Sequence, residues 1–398
     1  MQNIPTSDKA YQKAIQAMRD NIGWLLERFK EGERQHNNSD DPDISQWVNP
    51  RIGDGAVARS SIQKPVVAFF QGLGDYLFAL PALRALATLF PQQLTLVCMS
   101  GAREAFFSEI PFSTVYEVPF QRKDMHLELD GRVQKNTILF DADKVAANIK
   151  ECDLFIALAP RHSLSVGRLC ELLAPAKSIG FYSFFQTYVP LNFEKHYMDL
   201  IFDIPLQLDH SLQLDDFAVP LAPLPIYAQQ AHALRSEVPG PWRVMAVHAD
   251  SNPKKMWPAD RFVELLDLFL SRHPEFIVFV VGAQDLHLDV GQHGRRIIPC
   301  YNLPLPLSLA LIGEVDLFLG VDSCMLHAAD LFRIPGVGLF GPLFGPASHI
   351  KYGFRLVSSY RHVCGESMDA ISTPMVAAAL EALLEENAGI SKGGNISV

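Results

Sequence analysis

Asp316-Leu-Phe-Leu-Gly-Val-Asp322-Ser-Cys-Met-Leu-His327-Ala-Ala-Asp-Leu-Phe-Arg333-Ile-Pro335-Gly-Val-Gly-Leu-Phe340-Gly341-Pro342 is the stretch that decides the fold. It reads as a short apolar strand, an Asp-Ser corner, a helix of about three turns and a second apolar strand. Continuous apolar runs of this length mark strands buried on both faces, as in a parallel βαβ unit. Asp322 and Ser323 fall where the strand stops and the helix begins, the point in an open α/β sheet where ligands bind. The amides that open such a helix have no intrahelical partners, so the corner suits an anion, with a diphosphate as the obvious candidate.

Working outward, the same alternation recurs. Pro65-Val-Val-Ala-Phe-Phe70 predicts a buried strand, Gln71-Gly-Leu-Gly-Asp75 a tight turn, and Tyr76 to Leu89 a helix that Pro81 kinks or truly starts. Further strands are expected at Leu94–Met99, Val115–Val118, Leu154–Leu158 and Ile179–Tyr182. Helices are expected at Ala102–Glu109, Ala142–Cys152, Leu164–Leu173 and around Glu194–Phe202, while Arg122 to Lys135 stays unassigned. After the proline-rich stretch Pro220 to Pro225 the pattern restarts with strands at Val244–His248 and Phe276–Val281. Helices are expected there at Ala259–Arg272, Leu307–Gly313 and Thr373–Glu386. Strands alternating with helices predict an α/β protein of two doubly wound parallel-sheet domains facing across a cleft. The expected division is 63–222 for the first domain, 223–240 for a connector, 241–368 for the second domain and 369–398 for a terminal helix and tail. Residues 1–62 read as a helical extension with a polar linker, because Ile15, Met18, Ile22, Trp24, Leu25 and Phe29 recur at helical spacing.

Composition narrows the function. The 398 residues are 48% hydrophobic and 20% charged, which describes a globular chain. With 34 basic against 44 acidic residues the net charge is −10, arguing against nucleic-acid binding and against membrane docking by charge. The six cysteines are scattered without a Cys-x-x-Cys pair, so reduced thiols are expected and neither a disulfide framework nor a metal. No run approaches the roughly 20 apolar residues that span a bilayer, and the N-terminus is polar, so a cytoplasmic location is expected.

Three sites carry chemistry. Gly72-Leu-Gly74-Asp75 invites a dinucleotide reading, but the third glycine of that fingerprint is Leu77, which disfavours a dehydrogenase. Asp75 at a strand-to-helix corner is either a helix cap or a general base facing a ligand. Lys255 closes a loop with Ser251, Asn252 and Lys254, a set of hydroxyl, amide and ammonium donors suited to phosphate. His327 is read first as a core histidine. The patterns of zincins and α/β-hydrolases are absent.

Taken together these motifs resemble glycosyltransferase family 9, the bacterial heptosyltransferases of lipopolysaccharide core assembly. The residues that carry the likeness are Gly74-Asp75, Leu80-Pro81-Ala-Leu-Arg84-Ala-Leu86 and Phe90-Pro91. Lys255-x-Trp257-Pro258 follows, then Asp322-Ser-x-Met-x-His327-x-Ala329 with Phe340-Gly-Pro342. The resemblance implies a GT-B fold and an inverting, metal-independent transfer from a nucleotide sugar, foremost ADP-heptose, with no cofactor. It implies that Asp75 is the base and that Lys255 and Ser251, with the helix opening at Ser323, stabilise the departing diphosphate. Donor contacts would come from Ser251, Gln284, Asp322, Ser323, Cys324, Met325, His327 and Gly341, with Gly72 and Gly74 on the acceptor side. The chain departs from the family pattern at Cys324, where Gly is usual, at His248-Ala-Asp250, and at Gln284, where Glu often follows Gly-Ala. The iron-binding cysteine cluster of the autotransporter heptosyltransferases is not evident. The acceptor is left open among glycan, lipid-linked, protein and small-molecule hydroxyls, and a homo-oligomer is also left open. A GT-B-shaped module that binds nucleotide or glycan without turnover is the alternative.

Overall fold

Pro65–Phe69 and Leu317–Val321 are buried at every residue, as strands covered by helices on both faces must be. They are central strands of two separate six-stranded sheets. The computed structural model describes residues 61–393 apart from 130–131, 239–240, 286–287, 344 and 346. The helix expected within residues 1–62, with Ile15 to Phe29 on its apolar face, lies outside these residues.

The first sheet uses β1 (Pro65–Phe69), β2 (Thr95–Met99) and β3 (Thr114–Val118). The chain then makes an antiparallel hairpin, β4 (Gln121–Leu129) and β5 (Arg132–Leu139), and returns as β6 (Leu154–Ala157), β7 (Lys177–Gly180) and β8 (Thr187–Tyr188). The order is β3-β2-β1-β6-β7-β8, with all neighbours parallel. The second sheet repeats the scheme with β9 (Arg243–His248), β10 (Phe276–Gly282), β11 (Ile297–Tyr301), β12 (Leu317–Val321), β13 (Gly336–Phe340) and β14 (Tyr360–Cys364). Its order is β11-β10-β9-β12-β13-β14, again parallel throughout. The direction of winding reverses between β1 and β6 and between β9 and β12, which opens a crevice at the carboxyl ends of each pair.

Several expected elements move. The first helix runs Leu73–Leu89, so Pro81 is an interior, buried residue and not the helix start. The stretch expected as helix Ala102–Glu109 is a five-residue π-helical turn, Arg103–Phe107. Arg122–Leu129 and Arg132–Lys135, unassigned above, belong to the β4–β5 hairpin, a two-stranded ribbon outside the six-stranded sheets whose sequence shows no apolar run. The helix expected near Glu194 spans Tyr197–Leu206. The helix after the Asp-Ser corner is Cys324–Leu331, shorter than three turns. Strands β11 and β14 lie at sheet edges and are only partly buried; Pro299 interrupts the apolar residues of β11, and Arg361 and His362 those of β14.

The two sheets are joined by a continuous core. Helices Leu73–Leu89 and Cys324–Leu331 meet without a gap. A Cβ added at Gly74 would stand 2.8 Å from His327 Cδ2, and the Phe78 ring lies 4.1 Å from that imidazole. Polar ties add to this seam. Arg355 grips both oxygens of Asp199 at 2.8 Å across the seam, and within the second domain Asp330 Oδ1 holds the Arg355 segment by accepting from the amides of Arg355, Leu356 and Val357 at 2.7 to 3.0 Å. We expect Gly74→Ala to destabilise the protein by about 1–3 kcal/mol through overpacking, since Phe78 blocks the imidazole from yielding. Denaturant titration checks this, and an unchanged midpoint would show that the helices separate readily.

Candidate functional site

A cavity of about 560 Å³ opens where the carboxyl ends of the two sheets face each other. Residues after β1 and β6 form one wall, and residues after β9, β10 and β12 form the other. Both switch points therefore empty into one space of a size that suits a small-molecule ligand.

On the first wall, Gly72 caps helix Leu73–Leu89 with extended backbone, and Asp75 is the third helical residue. Asp75 Oδ2 accepts from the Gly72 amide at 3.0 Å, while the Asp75 amide donates to the Gly72 carbonyl at 3.0 Å. This return bond fixes the half-buried carboxylate at the cavity rim. Burial raises its pKa to about 6 against the opposing pull of the Arg161 charge, the Gly72 amide and Lys255. A carboxylate so poised is ionised at neutral pH yet basic enough to take a proton.

On the opposite wall, Asn252 Oδ1 accepts from the Lys254 amide at 3.0 Å and opens the short turn Pro253–Lys255. That turn carries Lys255 Nζ to 2.7 Å from Asp322 Oδ2. Ser251 Oγ donates to the Asp322 carbonyl at 3.1 Å, tying the loop to the β12 corner. Asp322 is buried, which raises its pKa, and the ammonium of Lys255 works against that rise. His327 Nε2 lies 3.7 Å from Asp322 Oδ1. Burial, reinforced by Lys255, drives the imidazole pKa well below its ordinary value, so His327 is neutral at pH 7. Ser323 caps the helix by position but makes no side-chain cap bond. Its hydroxyl and His327 Nδ1 are buried without a partner among the described residues. Burial pushes the half-buried Cys324 thiol up to about 11, so it adds no negative charge where the helix amides open. Lys255 and the helix opening thus offer positive charge for a diphosphate opposite a carboxylate that can accept a proton, while the Ser251 hydroxyl is spent on the Asp322 carbonyl and the Cys324 and Met325 amides face the Cys324 thiol.

The profile of glycosyltransferase family 9 (heptosyltransferase) matches residues 144–344. The chain belongs to glycosyltransferase family 9. Solved structures agree on the fold. A family 9 glycosyl transferase from Veillonella parvula DSM 2008 is 20% identical with a TM-score of 0.64, over 81% of this chain and 97% of that one. E. coli ADP-heptose lps heptosyltransferase II is 14% identical with a TM-score of 0.57, over 82% and 99%. E. coli heptosyltransferase WaaC with ADP is 14% identical with a TM-score of 0.53, over 82% and 98%. No curated protein sequence matches the chain. Two facing parallel-sheet domains make this family 9 glycosyltransferase a GT-B protein.

The matched stretch contains the Lys255 and Asp322 wall of this family 9 chain and begins after Asp75. The cavity gathers Gly72, Gly74, Asp75, Ser251, Lys255, Asp322, Ser323, Cys324, Met325 and His327. Gln284 and Gly341 are not among its lining residues. Gln284 is exposed, and Gly341 packs against Met368, 3.0 Å from the place of a Cβ, while its carbonyl accepts from Ser348 Oγ. Sequence reasoning gave no role to Arg122, Arg161, Asp250, Tyr197 or Tyr352, all of which line the cavity. The rule that found Asp75, a polar residue just past a central strand, also picks out Arg161 past β6. Nothing local marks Tyr197 or Tyr352, which helices remote in sequence bring in. Among the described residues no three His, Cys, Asp or Glu are disposed to hold a metal ion, and no helix is long and apolar enough to cross a membrane.

Proposed function

We propose that this glycosyltransferase moves a heptose from ADP-heptose to an acceptor hydroxyl with inversion, without a metal, using Asp75 as general base. The observation that carries the reading is one cavity with Asp75 on one wall and the Lys255–Asp322 pair with a partnerless Ser323 hydroxyl on the other. In the step, the acceptor oxygen forms a bond to the anomeric carbon as that carbon's bond to the diphosphate oxygen breaks. The acceptor proton goes to Asp75, and the electron pair leaves on the nucleoside diphosphate. Lys255, the amides that open helix Cys324–Leu331 and the Ser251 hydroxyl, once it turns from the Asp322 carbonyl, stabilise the growing charge. Arg161 favours the ionised Asp75 that must receive the proton. Once Lys255 turns to the diphosphate, Asp322 is released to accept from sugar hydroxyls, with neutral His327 fixing its other oxygen's surroundings. The choice of heptose and ADP is supported by the family's description and by neighbours named for ADP-heptose and ADP.

Mass spectrometry of nucleotide sugars retained by the protein, followed by release of free nucleotide over time, tests this. ADP-heptose should be retained and ADP released when an acceptor hydroxyl is supplied. Tight retention with no release under any acceptor would leave a binding module, and preference for a different nucleotide would overturn the donor.

A further inference from the structure

The nucleoside end of the cavity carries a carboxylate that the reaction above does not use. Resting on the nucleotide-sugar reading, the geometry points to Asp250 as the residue that reads the ribose diol of the donor.

Asp250 follows β9 by two residues and reaches across the carboxyl end of β10. There its Oδ2 accepts from the Ala283 amide at 3.0 Å, and its Cβ lies 3.4 Å from where a Cβ of Gly282 would stand. The amide clamps one oxygen and orients the group. Among the described residues Asp250 forms no ion pair, and its other oxygen has no hydrogen-bond partner; the neighbouring cation, Lys255, is held by Asp322. A carboxylate can only accept, so its partner must be a donor. A phosphate is excluded by charge, whereas two vicinal hydroxyls suit the lone pairs that remain.

The order of strands gives the position. Along the second wall the strand ends run β12, β9, β10 and β11. The anion corner at Ser323 ends β12, Asp250 is anchored at the end of β10, and the apolar Leu303 and Leu305 follow β11. Neighbouring parallel strands are about 4.8 Å apart, which places the carboxylate roughly 10 Å from the anion corner. An anion site, then a diol acceptor, then an apolar floor is the sequence of groups in a nucleoside diphosphate. Gln284, the position from which the family resemblance would draw an acid, is exposed and is not a lining residue.

Calorimetric titration of the full chain with ADP and with 2′-deoxy-ADP tests the assignment, using the parent, Asp250→Asn and Gln284→Ala. Asn keeps an oxygen for the Ala283 amide but replaces the other acceptor with a donor. The parent should prefer ADP by about thirtyfold, the size of a lost hydrogen bond to a charged acceptor. Asp250→Asn should bind both nucleotides alike, and Gln284→Ala should keep the parent's preference. A preference that survives in Asp250→Asn, or that disappears in Gln284→Ala, overturns the assignment. So does a parent that binds both nucleotides equally, and in that case the nucleotide-sugar reading still stands. A parent that binds neither brings down both.

Discussion

Asp75→Asn will cut sugar transfer by about 10²–10⁴-fold, the contribution of a positioned base, while making the folded protein more stable at neutral pH. The two effects have one origin. The carboxyl titrates near 3.8 when exposed and at about 6 in the fold. Because the folded pKa is the higher, the folded state binds the extra proton between those values, and stability falls as pH rises from 3.8 to 6. Above pH 6 the full cost is in place, roughly 2 kcal/mol after discounting for partial exposure. Asparagine keeps an oxygen for the Gly72 amide and removes the charge. Thermal unfolding should therefore show Asp75→Asn above the parent at pH 7.5 and converging with it near pH 4. The parent's transfer rate should fall as pH drops through about 6. If the variant transfers sugar at the parent's rate, or if the rate is flat across that window, Asp75 is not the base.

Lys255→Met should have the second-largest effect, and it also acts twice. On the proposed mechanism, removing the ammonium takes away a donor to the leaving diphosphate, a loss of about 10²–10³ in kcat by analogy with deleted charge-stabilising donors. It also strands Asp322, whose carboxylate is buried and has Lys255 at 2.7 Å. Breaking a buried pair from one side costs about 3 kcal/mol because the remaining charge has no compensation. Asp322 answers by titrating still higher, so the deficit should shrink as pH falls and the carboxyl protonates. The double variant Lys255→Met with Asp322→Asn should recover most of the stability and none of the activity. Full activity in the double variant would end the case for Lys255 at the diphosphate. Failure to recover stability would mean that the pair is not what Lys255 contributes to the fold.

The parts of the site that could be read from sequence are those made within one strand-turn-helix corner. Gly72 to Asp75 and Asp322 to His327 each follow a buried apolar strand, and a polar residue at such a corner faces the ligand crevice wherever the corner ends up. The loop from Ser251 to Lys255 is legible for the same reason. Arg161 obeys this rule and could have been found by it. Asp250, two residues past β9, obeys it as well, although its clamp by the Ala283 amide, just past the neighbouring strand, is not legible. Tyr197 and Tyr352 enter the cavity from helices far from either corner. The elements that were missed have a common cause as well. None shows an uninterrupted apolar run: the β4–β5 hairpin is mixed in sequence, Pro299 breaks β11, and Arg361 and His362 break β14.

By itself, then, the sequence determined the class of fold, the two central βαβ corners and the donor and acceptor chemistry they carry, since buried strands and unpaired helix amides are local consequences of the chain. Only the tertiary structure decided that Asp322-Ser-Cys-Met-Leu-His327 faces Asp75 and that Lys255 is paired with Asp322. The same holds for the clamp that Ala283 places on Asp250. Those facts depend on strand order and on close packing of Gly74 and Phe78 against His327, contacts between residues hundreds of positions apart that no periodicity encodes.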